Sequence, residues 1–225
     1  MLFDLRSKSR RNTVRVVYVI LALLMLSGLL LVGVGTGNNN GGILNALSNN
    51  GSNSGQDTAI QQQTKAAIKL TVKHPDSPSA WARLVQARWS AANNGSNYDT
   101  TTDVYTTGGK VQLSDAVTAW EKYLSLTHGK PDLGTSLLTG KVYQALGQFS
   151  NASGAWQYVI PSSPLKGYEC TALNAFAAKQ TSKGELAAAA AKKLLPKIDQ
   201  TEWASTVTGA KSSATDAAGY VAEDC

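Results

Sequence analysis

Few side chains in this 225-residue chain could carry chemistry: two histidines, two cysteines, and the aspartates Asp99 and Asp103 in a polar stretch. His74 and His128 each follow a stretch of helix-forming composition, ending near Lys73 and Thr127. An imidazolium there complements the negative end of a helix dipole. Neither belongs to an H-E-x-x-H pair, and no G-x-S-x-G, Walker A or dinucleotide glycine motif occurs. Asp99 and Asp103 sit with Tyr98 and Tyr105 among Thr, Asn and Gly, but they do not complete a D-x-[DN]-x-[DN]-G calcium loop. With no base, nucleophile or ligand set converging, the expectation is a non-enzymatic chain with no catalytic residue, metal or cofactor.

The cysteines leave two states open. Cys170 falls on an expected helix and Cys225 on a polar tail, so they form one intramolecular bridge or remain two thiols; spacing alone does not choose. A bridge would staple the otherwise weakly structured segment 212–225 to the helix expected at 168–179, contributing about 4 kcal/mol in the chain-entropy model.

The elements that would position these residues begin with an address. Arg6, Lys8, Arg10, Arg11 and Arg15, offset by Asp4 alone, run into the uncharged apolar segment Val16 to Gly35. A helix of about 20 residues spans a hydrocarbon core about 30 Å thick. One-sided basic charge predicts a cytoplasmic segment 1–15, a single-pass transmembrane helix 16–35, and an extracytoplasmic remainder in the cell membrane. A cleavable signal peptide is the alternative, but its apolar core is usually about 7–15 residues and ends at an A-x-A-like site that Gly33-Val34-Gly35 does not resemble. Segment 36–56, rich in Asn, Gly and Ser, reads as a flexible linker with a reach on the order of 25 Å.

The pI of 9.3 and net charge of +6 suggest nucleic acid at first sight. Yet five of the 21 basic residues and one of the 15 acidic ones lie at or before Arg15, leaving 16 basic against 14 acidic beyond it. No nucleic-acid footprint remains.

Segment 57–210 is long enough for one domain, followed by a tail at 211–225. Abundant Ala, Leu, Lys and Gln with few β-branched runs predict an all-α domain of about eight helices. Ser77-Pro78 and Ser163-Pro164 have the N-cap and first-turn proline pattern, and Ser182/Glu185 and Asp199/Glu202 have capping-box spacing. Asp57, Ser114, Asp132 and Ser150 mark weaker starts. Segment 93–111 is expected to be a disordered surface insertion with a sequon at Asn94; further sequons stand at Asn151 and, in the linker, at Asn50. The expected core is Trp81, Leu84, Trp120, Tyr123, Tyr143, Trp156, Leu173 and Phe176.

A pattern recurs near every 35 residues: Ala116, Trp120, Tyr123, Pro131; then Ala152, Trp156, Val159, Pro164; then a degenerate Ala187, Ala191, Leu194, Pro196. With Gly140 and Tyr143 preceding the second copy, the chain resembles the tetratricopeptide-repeat (TPR) family over about two-thirds of its length. Ser136 and Thr139 replace the family's usual Trp and Leu, and Val85 replaces a glycine. A non-repeating bundle of eight amphipathic helices would share the same core.

The resemblance implies antiparallel helix pairs in a short TPR-like α-solenoid that binds extended peptides along the face of its first helices. The residues offered there are Ser79, Arg83, Gln86, Leu137, Leu138, Lys141 and Asn174, without the family's clamp for a terminal carboxylate. The expected function is a membrane-tethered extracytoplasmic protein-interaction or scaffold module. Its partners would be proteins or extended peptides of the envelope, and membrane lipid through the N-terminal helix. A chaperone-like accessory subunit holding exported chains is the alternative, and an enzyme using the insertion is the third class.

Overall fold

The computed structural model describes the backbone of residues 54–225 and side chains from Asp57 onward. The segments expected to be cytoplasmic (1–15) and transmembrane (16–35), and residues 36–53 of the expected linker, lie outside the described residues. Among those described, no helix is long and apolar enough to cross a membrane.

Asp57–Cys225 is one compact unit, and the described chain is mostly helical. Nine α-helices follow in order: α1 Ser54–Lys73, α2 Pro78–Ala92, α3 Thr107–Leu126, α4 Leu133–Ala145, α5 Phe149–Gln157, α6 Pro164–Ala177, α7 Thr181–Leu194, α8 Gln200–Ser212 and α9 Ala214–Asp224. Helix α2 packs on α3, α4 on α5, and α6 on α7, each joined to the next by a short connection, while α9 returns to α6.

Proline sets two starts as expected, with Pro78 and Pro164 in the first turns of α2 and α6. Neither Ser77 nor Ser163 accepts a capping hydrogen bond, so the fixed proline φ does the work there. Asp132 caps α4 fully. Its Oδ1 accepts from the Thr135 amide at 2.8 Å and its Oδ2 from the Thr135 hydroxyl at 2.7 Å. The Tyr123 hydroxyl donates to Oδ2 at 2.5 Å and accepts from the Asp132 amide at 2.8 Å. One carboxylate thus ties the end of α3 to the start of α4.

Other starts differ from expectation. Ser114 lies inside α3, which begins at Thr107 after the Thr106 cap. Gly108 and Gly109 look like loop residues, but a Cβ on Gly109 would stand 2.2 Å from the Asn97 carbonyl oxygen, so the helix needs glycine to approach that backbone. Helix α5 starts one residue before Ser150, α7 starts at Thr181 rather than after Ser182, and Asp199 precedes α8 without a side-chain cap. Helix α1 begins at Ser54 rather than Asp57.

Segment 93–106 is ordered, which corrects the expected disordered insertion and adds a small β element to the helical fold. A 3-10 turn at Gly95–Asn97 leads into a two-stranded antiparallel ladder, β1 Tyr98–Asp99 and β2 Val104–Tyr105. Tyr98 and Tyr105 meet at a tilt of 57° with ring centroids 4.8 Å apart, and Trp89 meets Tyr105 at 6.5 Å. The segment 211–225 is likewise helix rather than weak tail. Ser213 Oγ accepts from the Asp216 amide at 3.2 Å, and Ala217 and Val221, one turn apart, bury against α6.

Every expected core residue except Trp81 is buried. Trp81 is only partly buried because its indole Nε1 donates to the Pro75 carbonyl at 2.7 Å near the surface. Val85, Leu113 and Trp203 complete the interior. Two close approaches set the packing of helix pairs: a Cβ on Gly140 would lie 2.7 Å from Trp156 Nε1, and one on Gly184 would lie 2.5 Å from the Phe176 ring. Small residues let the paired helices close onto aromatic rings. Ser136 and Thr139, in place of larger apolar residues, are fully buried and return their hydroxyls to Asp132 and Thr135 carbonyls of the same helix.

Gly140→Ala should destabilise the domain by about 1–3 kcal/mol through overpacking, although alanine favours a helix by about 1 kcal/mol. Trp156→Ala should cost about 3–5 kcal/mol. Urea-unfolding midpoints check both.

Asp132→Ala should cost about 0.5–2 kcal/mol as a lost cap. Burial works to raise the Asp132 pKa, but the hydrogen bonds from Tyr123, Thr135 and Gly134 outweigh it and hold the carboxyl below its ordinary value. Its stabilisation is therefore complete above the unfolded value of about 3.9 and lost as pH falls through the lowered folded value. Unfolding of wild type and Asp132→Asn at several pH values should show the wild type losing more stability in that acidic window.

Candidate functional site

Helix α4 presents Gly134, Leu137, Leu138, Lys141, Gln144 and Ala145 along one stripe at i, i+3, i+4 and i+7 spacing. Across from it stand Trp89 of α2 and the Ala222 to Cys225 end of α9, enclosing a cleft of about 650 Å³. A second cavity of about 360 Å³ shares Trp89, Lys141, Ala222 and Cys225 with it and extends the surface past Phe149, Ala218 and Val221. The lining is apolar with a cationic rim at Lys141 and Lys166 and an acidic one at Glu223 and Asp224.

Helix α9 is fixed at its C-terminal end. Cys170 and Cys225 form a disulfide with Cα atoms 5.6 Å apart, and the Lys166 ammonium donates to the Asp224 carbonyl. Burial raises the pKa of Glu169 beside this junction; Lys166 pulls it back and Asp224 adds to the rise. The bridge closes a separation of 55 residues, joining a completely buried Cys170 to a partly exposed Cys225.

Leu137, Leu138 and Lys141 meet in the cleft, the two leucines half-buried and the lysine exposed. Ser79, Arg83 and Gln86 are exposed on α2 but do not line it. Asn174 is corrected outright: it is fully buried, with its amide donating to the Cys170 carbonyl at 2.7 Å. Residues 170–176 are all buried because α6 is covered by α5, α7 and α9 together. A helix over the tail was the missing piece, and the paired small residues Ala217, Ala218, Val221 and Ala222 after Ser213 carry its signal. Trp89, which shapes the cleft from α2, had no sequence motif to mark it.

The candidate acidic residues serve the β-hairpin. Asp99 accepts from the Thr101 amide at 2.9 Å and the Thr102 hydroxyl at 2.8 Å, which lowers its pKa. Asp103 accepts from the Tyr98 hydroxyl, whose pKa is pushed up to about 12 chiefly by that bond. Among the described residues, no three His, Cys, Asp or Glu side chains are placed to hold a metal ion. A polar cavity of about 390 Å³ between α1, α2 and the 3-10 turn is partly paired internally, with the buried Arg88 Nε left without a hydrogen-bond partner among the described residues. Asn94 donates to Asp57 at 2.5 Å, and Arg88 reaches Gln112 at 2.7 Å and Asp115 at 3.1 Å.

No family model, curated protein or solved structure matches this chain.

Cys170→Ser/Cys225→Ser should lose about 4 kcal/mol of stability, the chain-entropy value for this loop. Amide hydrogen exchange in 214–224 should accelerate before exchange in α4 does. Unchanged unfolding and exchange would show that the bridge does not hold α9 in place.

Proposed function

We propose that this chain is a membrane-tethered, extracytoplasmic protein-interaction module with TPR-like helix pairs, and that it acts without catalysis. The observation that carries the reading is the apolar cleft of Trp89, Leu137, Leu138 and Lys141, bordered by α9. Such a surface takes a short apolar segment of a partner, with affinity from buried side chains and orientation from the charged rim. The Gly140 and Trp156 contact supports the TPR-like reading because the two residues stand at the small and aromatic positions of the unit that most resembles the family. The disulfide agrees with an oxidising compartment, and the basic cluster before Val16 agrees with an anchor that leads there.

Affinity capture of the full chain from its native membranes tests the reading. Leu138→Glu and Lys141→Glu should each reduce the co-purified partner at least about tenfold, the effect of losing 1.4 kcal/mol or more at an interface centre. Lys122→Glu, on α3 away from the cleft lining, should leave capture unchanged. Equal capture by all variants would contradict the cleft as the binding surface.

A further inference from the structure

Six large apolar side chains stand exposed among the described residues, and three of them gather at one corner: Leu186 at 76%, Leu194 at 49% and Ile198 at 86% exposure. Leu186, Ala190 and Leu194 run along α7 at i, i+4 and i+8, about 12 Å from end to end. Ile198 follows in the turn to α8, beyond Pro196. Single exposed leucines are ordinary on a protein surface, but a cluster of them calls for a reason.

Lys193 lies on the Leu186 face of α7 and Lys197 precedes Ile198, while Lys192 stands on the flank of the helix, roughly 120° around from Leu186. All three lysines are exposed, and none takes part in an ion pair among the described residues. Glu185, the nearest acidic residue on α7, is paired with Lys211 at 2.5 Å. Asp199 and Glu202 lie at the start of α8, where the helix dipole favours negative charge. Against Lys192, Lys193 and Lys197 stand the exposed Asp199 and Glu202, so the corner keeps a positive balance of one, set among side chains that favour leaving water. That combination suits a surface with negative headgroups above an apolar layer.

We propose that the α7–α8 corner docks on an anionic lipid bilayer, with Leu186, Leu194 and Ile198 entering the interface and Lys192, Lys193 and Lys197 meeting headgroup phosphates. The inference rests on the tethered reading for proximity to the membrane, since a linker with a reach on the order of 25 Å keeps the domain close to the bilayer. Helix α7 is the second of its pair and contributes nothing to the cleft lining, so the docked domain still offers the cleft to a partner.

The test uses the full chain reconstituted in vesicles of phosphatidylcholine alone and of an equal phosphatidylcholine–phosphatidylglycerol mixture. An amine-reactive label is read residue by residue, with exposed Lys122 and Lys130 as internal references. Labelling of Lys192, Lys193 and Lys197 relative to the references should fall about threefold or more on the mixed vesicles, and high salt should reverse the change. Leu186→Ser/Ile198→Ser, at two exposed positions that leave the core intact, should restore most of the labelling. Equal labelling on both vesicle types, or unchanged protection in the double variant, would overturn the proposal. Release of the chain from phosphatidylcholine vesicles by high salt would contradict the transmembrane anchor while leaving the labelling comparison intact.

Discussion

The close approach of paired helices through small residues is the constraint on which the rest of this domain depends. Gly140 lets α4 come close enough for the Trp156 ring of α5 to lie against its backbone, and Gly184 does the same for Phe176 between α6 and α7. Once those distances are set, the aromatic rings fill the interior, and Leu137, Leu138 and Lys141 of α4 are left as a stripe that lines the cleft together with Trp156. The cleft is therefore a product of core packing. Its lining lies on a helix held by the Asp132 cap at one end and Trp156 beneath, so binding need not pay for ordering it.

Helix α9 gives the cleft its second wall. It buries Ala217 and Val221 against the interior, and the Cys170–Cys225 bridge joins its end to α6. A short helix with such small side chains buries limited area, so the covalent link supplies much of its hold. The same helix covers part of α6, which is why Asn174 lies inside.

Much of the fold was legible from local signals. The prolines at 78 and 164, the Asp132 cap and the small-to-aromatic spacing around Trp156 act through neighbouring residues, and they appear where the chemistry requires. What escaped depends on distant partners. The first turns of α3 contain Gly108 and Gly109 because Asn97 passes close by, a reason no window of sequence contains. The hairpin at 98–105 is held by Tyr98, Tyr105 and Trp89 meeting across the loop, and by Asp99 bonding its own turn. Of the candidate site, the α4 residues came with the face that the TPR resemblance implies, whereas Trp89, Lys166 and α9 enter only through tertiary packing.

A groove that receives partners must contact them at its centre. Site-specific photo-crosslinking in intact cells measures this directly, with a photoreactive amino acid at Leu138 and, for comparison, at Lys122 on α3. A partner-binding cleft yields a discrete protein adduct from position 138 that is absent from position 122. Adducts of equal intensity and pattern from both positions, or none from 138 in correctly folded and anchored protein, would contradict it.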